Sequence, residues 1–104
     1  MIRHISKKDI VESLCLSNNL YIVRVDSFNS ILNNDINNKV RNVFKIDNEG
    51  NVIWQIFSNS DLEQDGSFQG IRMDGNRLKG YRWNGGQYDI NIETGFATPE
   101  ILLK

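Results

Sequence analysis

The stretch Val43-Phe44-Lys45-Ile46-Asp47-Asn48-Glu49-Gly50-Asn51-Val52-Ile53-Trp54-Gln55-Ile56-Phe57 decides the fold class. Two runs rich in β-branched and aromatic side chains flank a polar tetrad, and that composition marks strands. Asp47 at the first turn position and Gly50 at the fourth fit a type I turn closed by a left-handed glycine. Such a turn sets residue 47 opposite 51, hence Ile46 opposite Val52 and Phe44 opposite Trp54. Side chains alternate across a strand, so Val40, Phe44, Ile46, Val52, Trp54 and Ile56 are expected on one face, as core. Val43, Lys45, Ile53, Gln55 and Phe57 fall on the other.

Toward the C-terminus the pattern repeats. Phe68 to Met73 and Leu78 to Trp83 flank Asp74-Gly75-Asn76, residue types that tolerate the positive φ of tight hairpin turns. A further hairpin joins Tyr81-Arg82-Trp83 to Gln87-Tyr88-Asp89-Ile90 through Asn84-Gly85-Gly86, and Glu93-Thr94-Gly95 marks the next turn. Pairing Trp83 with Tyr88 would place Tyr81 beside Ile90 and give one aromatic face.

Toward the N-terminus, Leu20 to Val25 reads as a strand, with Leu20, Ile22 and Arg24 on one side and Tyr21, Val23 and Val25 on the other. Ser6 followed by Asp9, Ile10, Val11 and Leu14 reads as a short helix: Ser6 is placed to cap it, Asp9 suits its N-terminal end, and Asn18-Asn19 ends it. The asparagine-rich segment 27–39, with Phe28, Ile31, Leu32 and Ile36 as its apolar residues, reads as a loop. The predicted class is mainly β, either all-β or α+β. The expected architecture is an antiparallel β-meander of about five to six strands with a short N-terminal helix, in a single domain spanning residues 1–104. A chain of 104 residues suits one domain and can bury enough surface to fold alone.

Fourteen asparagines and thirteen isoleucines stand against one proline, and the single cysteine excludes an intramolecular disulfide. The polar N-terminal residues resemble no secretory signal, and no apolar run approaches the roughly 20 residues that span a bilayer. A soluble, cytoplasmic protein without membrane contact is expected. Charge is uneven: residues 1–45 carry seven Lys/Arg against four Asp/Glu, whereas residues 46–104 carry five against nine. Between residues 46 and 71, Asp47, Glu49, Asp61, Glu63 and Asp65 occur without one Lys or Arg. That segment repels polyanions and attracts a basic protein, although such charges also serve simply to solvate turns.

The residues for catalysis are scarce. One histidine and one cysteine, His4 and Cys15, lie at opposite ends of the expected helix and supply neither a nucleophile with its base nor a zinc ligand set. The alternation Asp61, Glu63, Asp65, Gly66 partly matches a calcium loop but lacks the closing bidentate glutamate. The glycines sit at turns or strand kinks, outside the strand-to-helix context of phosphate loops. No enzyme activity, no cofactor and no metal are expected.

The segments Asn42-Val43-Phe44-Lys45-Ile46-Asp47-Asn48-Glu49-Gly50-Asn51-Val52-Ile53-Trp54 and Tyr88-Asp89-Ile90-Asn91-Ile92-Glu93-Thr94-Gly95 resemble the strand-turn-strand pieces of PQQ-type β-propeller repeats. The resemblance covers about half the chain and implies a blade-like meander; 104 residues cannot close a propeller. A small stand-alone chain of this type also resembles the bacterial immunity proteins of polymorphic toxin systems, including contact-dependent growth inhibition. That resemblance implies a cytoplasmic toxin inhibitor acting by protein–protein interaction and transfers no catalytic residues.

The expected function is therefore neutralisation of a cognate toxin domain, a basic nuclease whose cationic cleft would accept the carboxylates of Asp47, Glu49, Asp61, Glu63 and Asp65 in place of phosphates. Tyr81, Trp83 and Tyr88 are the aromatic candidates for partner contact, since Tyr and Trp dominate binding hot spots; core packing is the competing role. Two alternatives stay open: an interaction module acting through an exposed sheet edge, and a single-stranded RNA binder using Tyr81, Trp83 and Arg82 with neighbouring Arg72 and Arg77. The acidic segment weighs against nucleic acid as a partner.

Overall fold

The computed structural model describes residues 2–59, 66–83 and 85–100. The protein is mainly β, with eight strands among the described residues arranged as two four-stranded antiparallel sheets. The first holds β1 (Ile10–Ser17), β2 (Leu20–Val25), β3 (Val43–Asp47) and β4 (Val52–Gln55) in sequence order. The second holds β5 (Phe68–Asp74), β6 (Arg77–Arg82), β7 (Gln87–Ile90) and β8 (Ala97–Pro99), also in sequence order. The two blade-like segments fall in different sheets. Among the described residues no helix is long and apolar enough to cross a membrane.

The expected β3–β4 turn forms as its residues dictate. Gly50 takes φ +88°, its amide donates to Asp47 O at 3.1 Å, and Asp47 N donates to Asn51 O at 3.0 Å. Ile46 does face Val52. One step further the register departs from expectation, because Ile53 is bulged and Lys45, not Phe44, faces Trp54. A bulge inserts one residue into one strand and so exchanges the faces beyond it. Phe44, Ile46 and Val52 consequently share one apolar layer, while Val43, Trp54 and Ile56 belong to the other.

The N-terminal helix is replaced by a single 3-10 turn, Lys7–Asp9, in which Ser6 makes no side-chain cap. Ile10–Ser17 is instead the edge strand β1, with Ile10, Glu12, Leu14 and Leu16 half-buried and Val11, Ser13, Cys15 and Ser17 exposed. Period-two alternation with β-branched Ile10 and Val11 wins over the helical spacing of Ile10, Val11 and Leu14. Asn18-Asn19, expected to end a helix, is the tight β1–β2 turn, with Asn19 at φ 66°. The segment 27–39 is not a plain loop. It holds a 3-10 turn, Ser30–Leu32, and a short helix α1 (Ile36–Val40), capped by the side chains of Asn29 and Asp35.

Two apolar layers follow. Ile22, Val43, Trp54 and Ile56 of the first sheet meet Phe68, Ile71, Leu78, Tyr88, Ile90 and Ala97 of the second. The opposite face of the first sheet, with Val23, Val25, Phe44 and Ile46, is covered by Ile2, Ile5 and Leu32. Side chains also close the seam between the sheets. The buried Asn42 amide accepts from Phe68 N at 2.8 Å and donates to Phe68 O at 3.0 Å and Val25 O at 2.7 Å. It thereby stands in for a neighbouring strand along β5. Glu12 accepts from both Arg24 Nε and Ile71 N, tying β1 to β5. The sheets pack as a sandwich, and not as the single meander of five to six strands expected.

Candidate functional site

Segment 26–40 and the ends of the second sheet meet at an open groove of about 530 Å³. Asp26 Oδ1 accepts the Phe28 amide at 2.8 Å, an Asx turn that turns the Phe28 side chain outward, where it is 88% exposed. Ile36, Lys39 and Val40 of α1 line one side of the groove, and Phe68 adds a buried aromatic side chain. Gly66 and Trp83 complete it. Trp83, just past β6, is 76% exposed and packs its Cβ against Gly66, where φ +77° and the 2.8 Å that would separate an added Cβ from that of Trp83 both favour glycine. Lys39 Nζ lies 5.9 Å from the Phe28 ring centroid and is steadied by Asn34 Oδ1 at 2.7 Å. Arg24 and Asp26 add one charge of each sign to the lining.

Arg82 organises the region behind this groove. It is 2% exposed, with its guanidinium carbon 4.5 Å from the Phe68 ring centroid and 4.9 Å from that of Tyr88. Its Nη2 donates to the Val40 carbonyl at 3.0 Å and its Nη1 to the Tyr88 hydroxyl at 3.1 Å. The end of α1 is thus fixed to the second sheet through a cation held between two rings.

The candidate contact residues separate. Tyr88 is 6% exposed and packs edge-on against Phe68, so of its two open roles it takes core packing. Tyr81 pairs with Gln87, and Tyr88 with Gly80, so the expected Trp83–Tyr88 pairing and its single aromatic face do not form. Tyr81 lies on the outer face of the second sheet, 46% exposed, packed over Gly70, where any side chain would collide with its ring. Arg82, named beside it for RNA contact, is inside the protein. Arg77 and Lys79 on that outer face are engaged by Asp89 and Glu100.

Asp47 and Glu49 sit on the β3–β4 turn, which borders a second groove of about 840 Å³ with His4, Lys7 and Tyr21. The Asp47 carboxylate accepts from Glu49 N, Asn51 N and Asn51 Nδ2. The Asn51 side-chain amide, then its backbone N–H, hold the Asp47 carboxyl below its ordinary value of 3.8. Its charge therefore fixes the turn, while no such bonds tie the Glu49 carboxylate among the described residues. Asp61, Glu63 and Asp65 lie outside the described residues; in sequence they directly precede Gly66 of the first groove. His4 Nε2 is 2.8 Å from Glu49 O, whereas Cys15 Sγ donates to Ser17 O, so the two engage different parts of the molecule.

Sequence reasoning did not single out Phe28 or Ile36 as contact residues. Their signal was an apolar side chain isolated in a polar, asparagine-rich segment. Leu32 and Ile31 of the same segment turn inward, so composition alone did not separate the two pairs. No curated protein and no solved structure matches the chain. The family model described as Domain of unknown function (DUF7957) matches residues 3–100, and the chain belongs to that family.

Proposed function

We propose that this chain is a binding protein of the immunity type, which neutralises a basic toxin domain, a nuclease, inside the bacterial cell and catalyses nothing itself. The observation that carries the reading is the exposure of Phe28 and Trp83 on one groove. A large aromatic side chain left in water forgoes roughly 25 cal/mol for each Å² of apolar surface that a partner would cover. Two of them at one concave site match the aromatic anchors that dominate protein interfaces, with Arg24, Asp26 and Lys39 as a polar rim. Residues 46–71 supply the complementary field: they hold carboxylates and no Lys or Arg, and the last of those carboxylates, Asp65, directly precedes Gly66 of the groove lining in sequence. Anchors give lifetime to the complex, and charge gives it speed.

The test is co-expression with the protein encoded directly beside this one, followed by binding kinetics at low salt. Reversal of Asp61, Glu63 and Asp65 to lysine is expected to slow association roughly tenfold or more, with a smaller effect on dissociation. An unchanged association rate would remove the electrostatic part of the proposal. Failure of the two natural proteins to co-purify would remove the toxin-binding role itself.

A further inference from the structure

Two four-stranded sheets have four edges, and an edge strand is a template for pairing unless it is covered, shortened, charged or interrupted by proline. Three of the four are managed here. Alongside β4, Val52 N donates to Arg3 O at 2.8 Å and Ile5 N to Gly50 O at 2.9 Å, so the N-terminal residues act as a covering strand. Along β5, the Asn42 amide takes both polar groups of Phe68, and Glu12 takes the amide of Ile71. β8 is three residues long and ends at Pro99, which has no N–H to offer.

β1 is neither covered nor shortened and holds no proline, and its one charged side chain, Glu12, is turned inward onto Arg24 and Ile71 N. It is the longest strand described, eight residues, and on its outer side no backbone hydrogen bond is present among the described residues. Its outward side chains, Val11, Ser13, Cys15 and Ser17, are all small or apolar and none is charged. The irregularities in its pairing with β2 fall at Ile10/Glu12 and Cys15/Ser17, which leaves Glu12 to Cys15 in regular register.

We propose that β1 pairs antiparallel with β1 of a second copy of this chain, about a twofold axis, to join the two first sheets into one continuous eight-stranded sheet. A second copy is the fitting occupant because the edge is self-complementary. Any antiparallel self-pairing opposes only uncharged outward side chains, and one twofold contact satisfies both edges at once. Centring the pair on Ser13 or Leu14 sets each Glu12 opposite an apolar residue, Leu14 or Leu16, where it stays bound to Arg24 and Ile71 N. No β1 residue lines the Phe28–Trp83 groove, so self-pairing leaves that surface free and stands independently of what docks there.

Sedimentation of the purified full chain, in reducing buffer so that Cys15 forms no disulfide, tests this directly. The expected result is a concentration-dependent rise from the 12.0 kDa monomer to twice that mass. Ser13→Lys and Ser13→Glu are each expected to remain monomeric with unchanged circular dichroism, because Ser13 is exposed, and their equimolar mixture is expected to regain the dimer. A natural chain that stays monomeric up to its solubility limit overturns the proposal. So does a dimer that both charged variants form as readily, since it would use another surface.

Discussion

Arg82 shows how far a single residue can act against its chemical type. The alternation of Leu78, Gly80 and Arg82 puts all three on the inward face of β6, and the burial of each obeys that parity. The parity along β6 therefore signals burial, while the charge of Arg82 by itself points to a surface contact. What made burial tolerable was invisible in sequence: Phe68 and Tyr88 come from two other strands to hold the guanidinium between their rings, and the acceptor at Val40 lies 42 residues away. A planar, always-charged fork suits such a slot in a way that an ammonium does not. Arg82→Lys is therefore expected to destabilise the protein nearly as much as Arg82→Met, by about 2 kcal/mol or more, given the usual worth of hydrogen bonds from charged groups. Urea unfolding of both variants checks it; a lysine variant as stable as the natural protein would contradict the stacked role.

At the scale of elements, turns were legible and edges were not. Asp47 to Gly50, Gly75-Asn76 and the turn at Gly95 fall where their residue types demand, because left-handed backbone selects so few residues. β1 departs from the expected helix because Ile10, Val11 and Leu14 satisfy two periods at once and Asn18-Asn19 suits either a helix end or a hairpin. The bulge at Ile53 left no composition signal, and it alone moved Trp54 to the opposite layer from Phe44. On the outer face of the second sheet, strand pairing aligns Arg77, Lys79, Asp89 and Glu100 into one charge network. Arg77 chiefly holds the Asp89 carboxyl below its ordinary 3.8, and Lys79 chiefly holds Glu100 below 4.5. Lys79 is raised in turn, first by Glu100. Carboxyls lowered in the folded state stabilise it fully above their unfolded values, and that contribution disappears as pH falls through the folded ones. The raised Lys79 works in reverse, contributing below 10.5 and fading as pH climbs past it. The urea midpoint should thus fall as pH drops below about 4.5, and Lys79→Met should flatten the part of that fall due to Glu100, leaving the slope due to Asp47 and to Asp89, which Arg77 still holds. High salt should shrink the difference, because these groups are solvent-facing. Superimposable acid profiles for the two proteins would contradict the network.

For the molecule as a whole, hydrophobic alternation identified strands but could not say how they stack. The face of a strand is a local property, whereas which face meets which depends on residues such as Asn42 and Glu12 that bridge two sheets. A single meander and a two-sheet sandwich share the same hairpins, so the sequence supported both. The candidate site inherits this limit: the groove joins Phe28 and Trp83, 55 positions apart, and neither position foretells the other. The claim at the centre of the account is that this groove receives a protein partner, and Trp83 reports on it without any substitution. Labelling the chain with 5-fluorotryptophan gives one fluorine signal for the shielded Trp54 and one for the exposed Trp83. On saturation with the protein encoded beside it, the Trp83 signal should shift and lose its sensitivity to exchange of water for deuterium oxide, while that of Trp54 stays in place. A complex that forms while Trp83 remains as open to solvent as in the free chain would contradict the account.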